Sequence, residues 1–329
     1  MRVAIVGAGA VGARAARQLA SIDAVRTVVV HEPDPTRLDG VLKGLTGERA
    51  EAGSNLLGAA DDVAAAVLAL PSGGHAELAS AFVAAGVHVV SSSDDVGDVR
   101  GLLALDDEAR RRGVHVVAGA AFAPGLSCLL ARHAGAWFDE VDEVHVAKIG
   151  TGGPACARQH HRALAGSALD WRDGQWIDRP GGSGRELCWF PEPIGGADCY
   201  RGELPDALLL HPAFPAAARI TARVGATRRD RLTARLPMLR RPHPEGVVGA
   251  VRVEVRGTRQ GARAVEVLGA LDRPAVAAGA VAALAAVAAV DGRLARTGAA
   301  GLAELVDPLP FLRELHERGV KAATYEGVG

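Results

Sequence analysis

Short apolar runs alternate with stretches of helical period over the first third of the chain. The runs are Val3–Val6, Val25–Val30, Ala64–Leu70, Val87–Val90 and Val114–Ala118. Between them lie Ala10–Ala20, Pro35–Lys43, Gly74–Ala85 and Val99–Arg112, with a weaker strand near Ser54–Leu57. Continuous apolar strands separated by helices predict a parallel sheet covered on both faces, a doubly wound Rossmann arrangement of class α/β. The pattern changes after Ala136. Val141–Lys148 alternates as a strand with one wet face, and Gly150–Leu210 reads as a long irregular stretch carrying every tryptophan but Trp137. Val247–Arg256 and Arg263–Leu271 read as antiparallel partners around Gly257–Gly261. This implies a second, α+β domain on a mostly antiparallel sheet. Ala275–Val290 is too short for a membrane span and reads as a buried helix that returns to the first domain. Leu302–Arg318 is a final amphipathic helix whose inner face is shared by Leu305, Leu309, Leu312 and Leu315, or by Leu312 and His316. The expected division is 1–125, 126–272 and 273–329.

The first strand runs into Gly7-Ala8-Gly9-Ala10-Val11-Gly12, the pattern G-x-G-x-x-G between a strand and a helix. Gly7 permits the tight turn, Gly9 lets a diphosphate approach the backbone, and Gly12 lets helix and strand pack closely. The N–H groups of Ala10, Val11 and Gly12 begin the helix, where an anion is favoured. Glu32 closes the second strand at the position where a carboxylate takes a ribose diol. Ligands of such sheets lie beyond the carboxyl ends of the strands, so Leu70, Pro71, Ser72, Ser91, Ser92, Phe122 and Pro124 are expected to face the cofactor. The cofactor expected is NAD, with Arg37 near enough in sequence to leave room for NADP.

Composition narrows the function classes. The chain has 329 residues and a net charge of −1, which offers no electrostatic footprint for nucleic acid or an anionic membrane. Its four cysteines have no metal-ligand spacing and read as reduced thiols, so no metal is expected. A first strand at the very start argues against a cleaved leader, and a cytoplasmic homodimer acting on a small molecule is the expectation. Basic residues are nearly all arginine; the lysines are Lys43, Lys148 and Lys321.

Gly119-Ala-Ala-Phe-Ala-Pro-Gly-Leu-Ser127 follows the last strand of the first domain. With Gly152-Gly153-Pro154 and Trp189-Phe-Pro-Glu-Pro-Ile-Gly195, it resembles the saccharopine dehydrogenase-like family, which includes carboxynorspermidine dehydrogenase. The resemblance spans most of the chain. It implies NAD(P)-dependent reduction of an imine, or the reverse oxidation, on an amino-acid-like substrate bearing a carboxylate. Saccharopine-forming members tend to carry an acidic residue where this chain has Ala123. A carbonyl or alcohol oxidoreductase resembling the glucose–fructose oxidoreductase family is the alternative. That family usually has a Lys-Pro pair where the fifth strand ends, and here the strand ends in Ser91-Ser92-Ser93. A nucleotide-sensing protein without turnover is the other alternative.

Hydride transfer requires orientation of the reacting carbon and management of one proton. Lys148, at a strand end before Gly152 and Gly153, is the candidate acid/base. Arg158 is the expected grip for a carboxylate, with His160 or His161 for proton transfer. Adjacent histidines on a helix point about 100° apart, so only one can face a site. Tyr200 is a weaker candidate on the substrate side. Glu32 repels a 2′-phosphate, so fluorescence titration is expected to show tighter binding of NADH than NADPH; tighter NADPH binding would mean that Arg37 or another cation outweighs Glu32.

Overall fold

The computed structural model describes residues 1–45, 49–53, 62–238 and 241–325. The first sheet is built from β1 (Arg2–Val6), β2 (Thr27–His31), β3 (Ala50–Ala52), β4 (Ala65–Leu68), β5 (His88–Ser91) and β6 (His115–Ala118). They are connected by α1 (Ala10–Ala20), α2 (Pro35–Lys43), α3 (His75–Ala84), α4 (Val96–Leu103) and α5 (Asp106–Arg112). All pairs are parallel, in the order β3-β2-β1-β4-β5-β6. The order reverses between β1 and β4, which places a crevice above the carboxyl end of β1. The strands read as apolar runs because both faces are covered: β1 residues Val3, Ala4 and Ile5 are fully buried. The weak strand expected at Ser54–Leu57 lies outside the described residues.

The second part begins with α6 (Leu126–Gly135), β7 (Glu140–Ile149) and α7 (Pro154–Ala163). Where the sequence reads as irregular, four strands follow: β8 (Ser167–Arg172), β9 (Gln175–Pro180), β10 (Glu186–Trp189) and β11 (Gly196–Arg201). They are short, and β9 and β10 are edge strands whose side chains are largely exposed on both faces, so a clean apolar alternation is lacking. Next come α8 (Asp206–Leu210), β12 (Arg219–Gly225), α9 (Arg228–Thr233), β13 (Gly249–Arg259) and β14 (Ala262–Asp272). The hairpin between β13 and β14 turns at Gln260-Gly261, later than the sequence suggests. The sheet runs β10-β11-β12-β7-β13-β14, antiparallel except for the parallel pair β12–β7.

The chain ends with α10 (Pro274–Val290), β15 (Gly298–Gly301), α11 (Leu302–Leu305), α12 (Pro308–Glu317) and β16 (Ala322–Tyr325). Beyond the expected helices, this segment adds a strand to each sheet: β15 pairs with β6, and β16 with β14. Two helices expected as single ones are broken. Asp106-Asp107-Glu108 favours a new N-terminus and Arg110-Arg111-Arg112 its end, which separates α5 from α4. Asp307 caps the next helix through the N–H of Leu309 and Pro308 opens it, which separates α12 from α11. Phe311 and Leu315 form the buried face of α12, while Leu309 is 40% exposed.

Helix α10 is apolar all round because it is buried all round. It packs on α1, and the contact is close at Gly279: a Cβ there would lie 2.6 Å from Arg14 Cβ and 2.7 Å from the Ala15 backbone nitrogen. The two helices would have to separate to admit a side chain. Gly279→Val is therefore expected to destabilise the fold by about 1–3 kcal/mol, seen as a fall of several degrees in Tm. An unchanged Tm would contradict this packing.

Candidate functional site

The turn from β1 to α1 has the geometry of a diphosphate cradle. Gly7 has φ +98°, and a Cβ there would strike the Ala69 carbonyl; one on Gly12 would strike the Gly7 carbonyl. These glycines are required by packing. At Gly9 a Cβ would meet nothing within 4 Å, so the space above it is open. Helix α1 carries no capping side chain, and the N–H groups of Ala10, Val11 and Gly12 have no partner within the helix. The Glu32 carboxylate stands beside this turn. It accepts from the Ala8 N–H at 2.8 Å and the Asp34 N–H at 3.1 Å, leaving lone pairs for a ribose diol. Arg37 is turned outward and pairs with Asp34.

The second part of the chain closes over the same turn. Gly153 has φ +110°, and a Cβ on it would sit 2.9 Å from Ala10 Cβ. Gly152 is equally close to the backbone of Ala275. Glu245, on the segment leading to β13, reaches Arg14 of α1 at 2.5 Å. The guanidinium of Arg14 holds the Glu245 carboxyl below the usual carboxylate range. At the lip of the crevice, Ser72 receives a hydrogen bond from Arg162 at 2.7 Å and donates to Gln159 at 3.2 Å. Gln159 also donates to Asp95 at 3.1 Å. Helix α7 is thus laced to the ends of both β4 and β5.

Beneath that lacing lies Lys148, 6% exposed on β7. Its ammonium donates to Asp94 Oδ2 and to the carbonyl of Ala123, each at 3.0 Å. Asp94 follows the serines at the end of β5, and Ala123 belongs to the turn between β6 and α6, whose Ala123-Pro124 peptide is cis. Burial works against the charge on Lys148, but Asp94, with Cys156 and Asp206, outweighs it and raises the pKa above the ordinary lysine value. His160 Nε2 lies 2.9 Å from the carbonyl of Gly225, which only accepts, so that nitrogen carries the proton. Burial, and then the charge of Lys148, push His160 down to about 4. The imidazole is neutral at pH 7, and its buried Nδ1 lone pair has no partner among the described residues. Burial pushes the Cys156 thiol, one helical turn before His160, up to about 11, so it stays protonated. Asp206 is fully buried and accepts from Ser127 at 2.8 Å. Burial raises its pKa, and Lys148 opposes the shift.

Several expected site residues are placed elsewhere. Arg158 is exposed and lies two residues from His160, about 160° around the helix, so it faces away from Lys148. His161 turns to the carbonyls of Thr233 and Leu236 at 3.0 and 3.3 Å. Tyr200 is 2% exposed beneath the Arg231 guanidinium and packs in the core. Ser91 is fully buried and bonded to His75 at 2.9 Å, while Ser92 donates to the Leu68 carbonyl. Phe122 and Pro124 are buried in the core, and their turn offers backbone instead. Leu70, Pro71 and Ser72 follow the carboxyl end of β4, where none is fully buried. The sequence reading missed Asp94, Cys156, Gln159, Asp206 and Glu245. Asp94 had a signal, a carboxylate at the carboxyl end of an apolar strand; the others are recognisable only in three dimensions.

Comparison with known proteins supports the cofactor. Residues 1–118 match the GFO/IDH/MocA profile, described as an oxidoreductase family with an NAD-binding Rossmann fold. The first domain is therefore an NAD-binding Rossmann domain. The match covers this domain alone, and within it the absence of a Lys-Pro pair after β5 does not prevent the likeness. No curated protein matches the chain. Among solved structures, apo saccharopine dehydrogenase (L-Glu forming) from Saccharomyces cerevisiae superposes with a TM-score of 0.68 at 16% identity, over 98% of this chain and 99% of that one. A mutant meso-DAP dehydrogenase from Clostridium tetani E88 with DAP gives 0.51 at 15%, over 96% and 98%. GenD2 from gentamicin A biosynthesis, in complex with NAD, gives 0.50 at 17%, over 99% and 97%. These likenesses establish a shared fold.

The open space above Gly9 leads to a clean test. Gly9→Val adds a branched side chain where nothing in the protein obstructs it, so the variant is expected to fold normally. NAD affinity should fall at least about 100-fold by calorimetry. A folded variant that binds NAD as the wild type does would displace the cofactor from this turn.

Proposed function

We propose that the protein is an NAD-dependent dehydrogenase in which Lys148, held by Asp94, is the acid/base, and that it acts on a C–N bond of an amino-acid-like substrate. The observation that carries the reading is the ammonium of Lys148, buried at the domain boundary with two of its three N–H donors engaged among the described residues. When bound, NAD supplies the hydride chemistry at C4 of its nicotinamide. In the reducing direction Lys148 Nζ holds the proton that the substrate nitrogen takes as it gains electrons. Its raised pKa keeps that proton in place at neutral pH. His160 Nδ1 offers a fixed, unprotonated acceptor for a donor on the substrate. Gln159 and Arg162, laced to Ser72, hold α7 against the end of β4 beside this centre.

The choice of a C–N bond draws on the saccharopine and meso-DAP dehydrogenases that share the fold, both named for amino-acid substrates. One observation favours the carbonyl or alcohol reading. Lys148 reaches Asp94 just past β5, so a lysine from the second domain is brought to the end of the strand after which the glucose–fructose oxidoreductase family has its Lys-Pro pair. The surroundings also modify the expected substrate. The charge of Lys148 is balanced by Asp94, and Arg158 points away, so a carboxylate on the substrate would lie away from the reacting centre. Screening amino acids with 2-oxo acids and NADH, against polyols with NAD, separates the two readings.

Lys148→Met is expected to lower kcat/KM by about 100- to 10,000-fold with NAD affinity little changed. Arg158→Ala and His161→Ala, on the other side of α7, should stay within about threefold, because neither touches the centre. The pH dependence has a definite sign. Asp94 is the strongest influence raising Lys148, so the alkaline loss of reductive activity should fall above the ordinary lysine pKa of 10.5. In Asp94→Asn only burial and weaker charges act, and the limb should move down by about one unit or more. An alkaline limb identical in both proteins would remove Lys148 from the proton-transfer role.

A further inference from the structure

A second cleft, of about 800 Å³, opens at the carboxyl end of α7, between β9 and the segment that follows β12. It is separate from the nucleotide crevice. The N-terminal end of α7 touches Ala10 through Gly153, and the helix carries the chain about 15 Å from there. Its volume suits a small molecule.

Three arginines line it, Arg179 from β9, and Arg231 and Arg235 from α9 and the turn after it. None of the three is in an ion pair among the described residues. Elsewhere in the same sheet Arg201 is paired with Asp170 and Arg223 with Glu186. The one carboxylate in the lining, Asp178, accepts a hydrogen bond from Ser167 at 3.0 Å. The cleft is therefore net positive. Arg231 is also held in position. Its guanidinium lies 5.5 Å from the centre of the Tyr200 ring, and its stem lies against Gly182, where a Cβ would sit 3.0 Å from Arg231 Cγ. Gly182 has φ +68°, so a side chain there would be both strained and crowded. A cation fixed by an aromatic face and a glycine loses little freedom on gripping an oxyanion.

We propose that this cleft is a second small-molecule site that binds a multiply charged anion, carboxylate or phosphate, through Arg179, Arg231 and Arg235. It is independent of the reaction assigned to Lys148. Binding there would act on the helix that carries Gln159 and His160.

The test is calorimetric titration of the full-length protein, saturated with NADH, using citrate and pyrophosphate as probes. Sodium chloride of matched ionic strength is the control. Binding of either probe by the NADH-saturated wild type is expected, and which one binds more tightly distinguishes a carboxylate from a phosphate ligand. Arg231→Ala combined with Arg235→Ala should weaken it at least about tenfold while leaving NADH affinity unchanged. Should that variant fold poorly, Arg179→Glu with Arg235→Glu changes only exposed side chains and is expected to give the same loss. No binding beyond the chloride control, equal binding by the variants, or binding only when NADH is absent would each overturn the proposal. The last result would place the anion in the diphosphate cradle instead.

Discussion

A lysine ammonium withdrawn from water must find compensation nearby, and the arrangement of this protein follows from how Lys148 finds it. Desolvating such a charge costs several kcal/mol unless partners replace the lost water. Here one partner is a carboxylate at the end of β5, and the other is a backbone carbonyl from the turn after β6. Both belong to the nucleotide-binding side, while Lys148 is on β7 of the second sheet. The charge pair is satisfied only when the two sheets hold this relation, so the contact that stabilises the boundary is also the one on which the proposed centre rests.

The other contacts across the boundary support it. Helix α7 is tied at its start by the Gly152-Gly153 loop against Ala10, and along its length by Gln159 and Arg162 to Ser72 and Asp95. The salt bridge from Arg14 to Glu245 adds a tie from α1 to the approach to β13. Helix α10 returns to α1 and fixes the cradle from behind. The glycine motif occupies the first dozen residues, but the elements packed around its turn come from the whole chain.

That division explains what could be read from sequence. The Rossmann half was legible because its signals are local: apolar runs of strand length, the helical period between them, and glycines at positions that packing requires. Helices α1 and α2 have the bounds the pattern predicts. The second half was harder. Strands β9 and β10 are exposed edges and β12, parallel to β7, is buried along nearly its whole length, so none of these shows a period of two. In the proposed site, Lys148 and His160 are candidates that residue type and position suggest. Asp94, Gln159 and Glu245 were missed because their partners are more than fifty residues away. Arg158 was misplaced for a different reason. Its helix was foreseen, but which side of that helix meets the crevice depends on packing of the second sheet, which no local pattern encodes.

The central claim is that Lys148 is a buried cation kept charged by Asp94. Because the chain has three lysines, Lys43, Lys148 and Lys321, carbon-13 labelling of the lysine Cε should give a spectrum simple enough to assign with single substitutions. A pH titration should show one resonance whose ammonium persists above the ordinary value of 10.5 and which moves to lower pH in Asp94→Asn. A Lys148 resonance that titrates at or below that value, or that ignores the loss of Asp94, would contradict the account.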